Sequence, residues 1–346
     1  MDAITGALER VPGPTWLAYI AVTLASTAWV LVESSLSRVG LAAMEANPSA
    51  LGYVFLFVFP LAAYQYMSLG ARSTWDAFRP ATSMTDEAAA DARLQLSTTP
   101  FIPVAVVWLA AAAMNALYSV LLPETNDLAN QPPINFVMRI VSESLWVAPT
   151  SILLVYLVIR QVRLVSRLHR DVEHVDLLQP GPLHAMSRLT SRGAIVLIVL
   201  GVYSGLPLPG LGESAWIATV LFYSLPCVIL AAVVFVAPLR GMAARLSAAK
   251  ASRLAAVATR IDATTEALHR LVDQEAVAER DADAARLSQT RIDALNKALS
   301  SLLQERDFVK KLSTWPWDPG TFRAVVSAFA LPILLFLITR YLDRLI

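Results

Sequence analysis

The chain is poor in charge, in cysteine and in glycine, and each shortage excludes something. Charged residues make up only 16% of its 346 residues, against about 25% in an ordinary soluble domain. A single cysteine, Cys227, rules out an intramolecular disulfide. There are 13 glycines but no strand–GxxxxGK–helix unit, which argues against nucleotide hydrolysis. A net charge of +1 argues against nucleic-acid binding. There are four histidines. His169 and His174 are five residues apart and diverge on a helix, so with His184, Asp171, Glu173 and Asp176 they read as a solvated face, not a metal site. No nucleophile–base set is visible. The sequence therefore predicts no catalytic residue, no cofactor and no metal centre, and a non-enzymatic protein.

What the chain has in abundance is apolar residues, at 56%. They fall in runs of roughly 18–25, the length needed to cross about 30 Å of hydrocarbon. This predicts an all-α fold, a polytopic transmembrane helix bundle of about seven spans. Expected spans run from about Thr15 to Leu36, Ser49 to Ala71, Phe101 to Leu122, Phe136 onward, Gly193 to Leu208, Ala215 to Val236 and Phe322 to Thr339. No cleavable signal peptide is expected, because the first run is long and carries Glu33 and Ser34. The fourth span is expected to continue as one long helix until PGP at 180–182 stops it. TDEAAADARLQL predicts a short surface helix capped by Thr85.

Arginine placement sets the expected orientation. Arg72, Arg79 and Arg93 fall in the loop at 72–99, and more arginines cluster in the loop at 161–192. ETNDLANQPP and GLPLPGLGE carry neither Lys nor Arg. Under the positive-inside rule the N-terminus is cytoplasmic and the protein is a multi-pass protein of the cell membrane, with the lipid bilayer as its obligatory partner. Arg340 and Arg344 then face outward, and a last helix that stops short of crossing is the other reading.

The largest soluble part is 239–312, between the six-span bundle of 1–238 and the closing segment of 313–346. Leu254, Val257, Ile261, Thr264, Leu268 and Leu271 alternate in steps of three and four. Ile292, Leu295, Leu299 and Leu302 do the same, and the series resumes at Val309. Such spacing lays a narrow apolar seam along one side of a helix. Two seams flanking a charged stretch predict a cytoplasmic, coiled-coil-like antiparallel hairpin that turns within about 275–288. Its base is basic, with Arg240, Arg245, Lys250, Arg253, Lys310 and Lys311, which suits an anionic membrane surface. Its tip is acidic, with Glu275, Glu279, Asp281 and Asp283. The tip reads either as a solvated bend or as a docking surface for a protein partner or a second copy of the chain.

Ionisable groups within spans mark the remaining candidates. Arg139 and Glu143 are four apart in RIVSES and share a helix face. Glu33 is expected at a similar depth. The cluster reads either as an ion pair that fixes packing or as an ion or proton entry site, the basis of an alternative ion-channel or small-solute-transporter reading. Asn115 is expected to hydrogen-bond between helices. Pro60, Pro149, Pro226 and Pro332 predict kinks. In STWPWDPGTFR, Trp315 and Trp317 suit a headgroup layer, Pro316 and Pro319 break the helix, and Asp318 caps the last one. This elbow reads as an anchor or as a joint that transmits motion of the hairpin.

ARLQLSTTPF, HVDLLQPGPLHAMSRLTSRGAI, VFVAPLRGM and STWPWDPGTFR, in that order, resemble an uncharacterised family of polytopic membrane proteins of bacteria and archaea. The resemblance spans about half of the chain and implies architecture only. The family pattern has a histidine soon after its PLxG stretch. Here that region reads GMAARLSAAK, so a role for that histidine cannot apply.

Overall fold

The structure is a computed structural model that describes residue 6 and residues 15–36, 49–121, 132–168, 181–204, 224–277, 282–315, 317 and 319–342. Helix accounts for nearly all of them, and no strand occurs among them. In chain order the helices are α1 Thr15–Ser35, α2 Ser49–Phe78, α3 Asp86–Ser97, α4 Phe101–Leu121, α5 Pro133–Ser142, α6 Ala148–Leu168, α7 Gly181–Ser204, α8 Leu225–Val277, α9 Ala282–Lys311 and α10 Pro319–Leu342. A 3₁₀ turn, Arg79–Ala81, follows α2, and a π-helical stretch, Glu143–Val147, joins α5 to α6. Among the described residues, six helices are long and apolar enough to cross a membrane. They overlap the first six expected spans, of which 205–208 and 215–223 lie outside the described residues. α10, at 24 residues, holds the seventh, and many of its side chains lie outside the described residues.

The chain divides into two compact units. The first comprises Met1–Val172, Gly181–Pro238 and Trp317–Ile346, and the second comprises Glu173–Pro180 and Leu239–Pro316.

In the first unit α7 is the hub. It packs against α2, α6 and α10 and is the most buried of the six apolar helices. Its Met186, Leu189 and Leu197 meet a core that includes Leu61, Tyr64 and Met67 of α2 and Leu154 and Leu157 of α6, all almost wholly buried. Between helices in lipid, tight packing and dispersion must hold such a core, because lipid tails are as apolar as leucine. Small residues permit the approach. A Cβ at Gly193 would lie 3.0 Å from Val158 Cγ1, and one at Gly201 would lie 2.8 Å from Cys227 Cβ. α1 and α4 instead leave large apolar side chains exposed, among them Trp16, Leu24, Phe101, Ile102 and Leu109.

HAMSRLTSRG, expected as a lead-in to the fifth span, belongs to α7 itself. Pro182 suits the first helical turn, where no N–H is missed. The hydroxyls of Ser187, Thr190 and Ser191 donate to the carbonyls of His184, Ser187 and Arg188 at 2.8–3.0 Å. The polar side chains are thus satisfied without breaking the helix. Leu208, the expected end of that span, lies outside the described residues, as do His169 and His174.

In the second unit Leu239, Met242 and Leu246, ahead of the seams, are almost wholly buried. Val257 and Val309 are buried. Leu254, Ile261, Thr264, Leu268 and Leu271, and Ile292, Leu295, Leu299 and Leu302, are half-buried.

Candidate functional site

The deepest polar layer of the first unit is built around two prolines. Pro149 has no N–H to offer the carbonyl of Leu145, and its ring would collide with that carbonyl in a regular helix. The chain responds by widening: Glu143–Val147 forms a π turn, and the Ala148 N–H donates to the Glu143 carbonyl five residues back. Such bulges accommodate an inserted residue and recur at functional sites. The wide turn presents Ser144, buried, to α4, where Asn115 Nδ2 donates to Ser144 Oγ at 3.1 Å. It also presents Trp146, whose Nε1 donates to the Phe57 carbonyl of α2 at 3.1 Å. Phe57 lies next to Leu56, whose carbonyl loses its helical donor to Pro60. The bond therefore lands on the carbonyl beside the one that Pro60 leaves without a helical donor. Trp108 of α4 meets Trp146 edge-on at 6.3 Å, and Thr150 Oγ1 donates back to the Trp146 carbonyl at 2.6 Å.

Of the expected intramembrane cluster, Asn115 and Glu143 stand at this layer, both half-buried. Glu33 is half-buried in the last turn of α1, and α1 packs against α5, the helix that carries Arg139. Arg139 is helical, and its side chain lies outside the described ones.

The other end of the first unit is rich in arginine. Thr85 caps α3, accepting from the Ala88 N–H at 3.4 Å, as the TDEA pattern predicts. The far end of α3 has carbonyls without helical partners. Arg160 of α6 donates to the carbonyls of Gln95 and Thr98, and Gln161 Nε2 donates to that of Leu96 at 3.1 Å. A cation at a helix C-terminus also suits the helix dipole. Tyr64 and Thr99 share a hydroxyl hydrogen bond of 2.8 Å at the same level. Asp76 pairs with Arg93 at 3.1 Å and Asp86 with Arg79. Arg192 of α7 lies over the Tyr66 ring at 5.2 Å from its centroid. Sequence reasoning missed the Arg160–Gln161 clamp and the Arg192–Tyr66 contact. The signal for the second was Gly70, a glycine inside α2.

No family model, curated protein or solved structure matches the chain. The reading of its function thus rests on its own residues.

At the elbow, Trp317 stacks between Phe235 at 5.1 Å and Phe322 at 5.8 Å. Trp315, in the other unit, is 59% exposed. Pro316 and Asp318 lie outside the described residues.

Within the second unit the base of the two arms is tied. Lys250 Nζ donates to the carbonyls of Lys310 and Leu312, each at 2.7 Å, and Arg253 pairs with Glu305 at 2.8 Å. The contacts descend on α9 as they ascend on α8, the sense of antiparallel arms. Of the expected tip acids, Glu279 and Asp281 lie outside the described residues. Glu275 and Asp283 fall within helices, with their side chains outside the description.

Proposed function

We propose that the chain is a non-enzymatic membrane protein that signals or scaffolds, presenting α8 beyond Pro238 and α9 as a cytoplasmic hairpin to a protein partner or a second copy. The observation that carries this reading is the tie at Lys250 and Arg253 combined with a seam left half-buried. Extending the register of that tie sets Val257 opposite Leu302, Ile261 opposite Leu299, Thr264 opposite Leu295 and Leu268 opposite Ile292. Two helices alone shield such a seam incompletely, and further helices would complete the shielding. Concentration of arginine at one end of the first unit supports a cytoplasmic assignment for that end.

The test uses the full chain in lipid nanodiscs, with cross-linking and native mass spectrometry. Ile261→Asp and Leu299→Asp should abolish self-association, and replacing Glu275, Glu279, Asp281 and Asp283 by lysine should release a bound partner. A chain that neither self-associates nor loses a partner in the lysine variant overturns the reading. Labelling of Arg280→Cys in a Cys227→Ser background tests orientation, and access from outside the cell overturns it.

A second reading, an ion channel or small-solute transporter, draws on the π turn that sets Glu143 beside the Asn115–Ser144 bond. Flux through reconstituted protein that disappears in Glu143→Gln would favour it.

A further inference from the structure

We propose that Arg192, with Tyr66, Gly70 and Arg188, forms a binding site for a phosphate-bearing anion, and that in the membrane its occupant is the headgroup of an anionic phospholipid. The inference rests on the membrane reading above and is independent of the role given to the hairpin.

The site begins with a gap in α2. A Cβ at Gly70 would overlap Nη1 of Arg192 and would lie 3.1 Å from its Cδ and Cζ. The absent side chain is therefore what lets the guanidinium come against α2, where it lies over the Tyr66 ring. Among the described residues no carboxylate pairs with Arg192. The ring neutralises little of the charge. It orients the guanidinium plane and leaves N–H donors along its edge for a bidentate acceptor.

Arg188 lies one turn earlier on α7. Positions four apart share a helix face, and like charges there repel. Arg188 is exposed, and among the described residues it too pairs with no carboxylate. Antiparallel packing sets Gly70 on Arg192 and Met67 on Gly193, so Arg72 of α2 comes level with Arg188. Arg72 nevertheless lies about 200° around α2 from Gly70, so the arginines that share this face are Arg188 and Arg192. By contrast, Arg79 and Arg93 at the same end of α2 both have aspartate partners. An anion shared between Arg188 and Arg192 would remove the repulsion, and charge-assisted bidentate contacts to phosphate suit arginine above other side chains.

The surroundings choose the source of the phosphate. Tyr66 and Leu69, on the α2 face beside Arg192, are each 49% exposed. An aromatic ring beside an exposed leucine suits the boundary between acyl chains and headgroups. Arg192 is at the N-terminal end of the apolar part of α7, where a long cationic side chain reaches a headgroup without entering hydrocarbon.

The experiment measures lipid retention by the full chain, using native mass spectrometry after release from nanodiscs of phosphatidylcholine containing phosphatidic acid or phosphatidylglycerol. Inorganic phosphate is added as a soluble competitor. Arg192→Gln should lower retention of the anionic lipids by about tenfold, the size of one lost charge-assisted contact. Gly70→Ala should lower it as well, although it removes no charge. Arg192→Lys, which keeps the charge and loses the fork, should fall between. Arg167→Gln, on α6, serves as the charge control and should change little.

Competition by inorganic phosphate at millimolar concentration would support the anion site and reassign its occupant to a soluble phosphate. Retention unchanged in both Arg192→Gln and Gly70→Ala, or reduced equally by Arg167→Gln, would overturn the site. Failure of the wild-type chain to enter nanodiscs would instead overturn the membrane reading. Each variant is compared at matched melting temperature, and Arg192→Lys carries the test if Gly70→Ala does not fold.

Discussion

The core leucines of the first unit and the seam leucines of the second behave differently. In the first, Leu154, Leu157 and Leu197 are completely buried, surrounded by helices on several sides. In the second, Leu254, Leu268, Leu295 and Leu299 occupy regular seam positions and stay half-buried. The same residue type, at helical spacing in both, finishes its packing in one and leaves it open in the other. The difference lies in the number of neighbours. A helix such as α7 has three packed partners, whereas a seam between two arms has one. The core around α7 is closed within the first unit, whereas the seam of the second leaves part of its apolar surface exposed.

The largest expected effect tests the closed core. Leu157→Ala should cost about 2–5 kcal/mol, read as a fall in the unfolding midpoint of the purified chain. Leu299→Ala should cost clearly less in the isolated chain, and more when copies associate. A concentration-dependent penalty for Leu299→Ala alone would sharpen the contrast, and equal penalties at all concentrations would erase it. Next comes the clamp on α3. Arg160→Met removes a cation from two carbonyls and should destabilise by about 1.5–3 kcal/mol, with protease cleavage rising within 79–99. Within the polar layer, a double-mutant cycle of Asn115→Ala and Ser144→Ala should give a coupling of about 0.6 kcal/mol, the average for hydrogen bonds between membrane helices. The smallest effect is expected at the tie of the second unit. Arg253 is 59% exposed and Glu305 30%, so exchanging their charges should cost well under about 1 kcal/mol, whereas Lys250→Met should loosen the base more because two carbonyls lose their donor.

Much of the fold was legible because apolar runs report length directly. Six of the expected spans coincide with long apolar helices, and Thr85 with the acids after it marks the start of α3. The seams were legible because a three/four spacing has one geometric meaning on a helix. Other features were hidden for physical reasons. Ser187, Thr190 and Ser191 look like loop residues until their hydroxyls are seen to bond within α7. α8 runs through Pro238, a proline inside the helix. Arg160 gave no sign of its partners, because those partners are backbone carbonyls some sixty residues earlier and carry no sequence signature. Of the candidate cluster, the spacing of Arg139 and Glu143 was visible, but the π turn that begins at Glu143 was not. Pro149 was noted only as the source of a kink.

That turn has a consequence for how this stretch tolerates length changes. A π bulge holds one residue more than the α-helix it interrupts, and one residue corresponds to about 100° of rotation. Losing a single codon anywhere from 143 to 147 would therefore close the wide turn into a regular one and keep α5 and α6 in phase, whereas the same loss inside α6 would turn one part of that helix by roughly that angle against the other. A one-residue deletion here should therefore be tolerated better than one in the middle of α6, although it returns the Pro149 ring to its clash with the carbonyl four residues earlier.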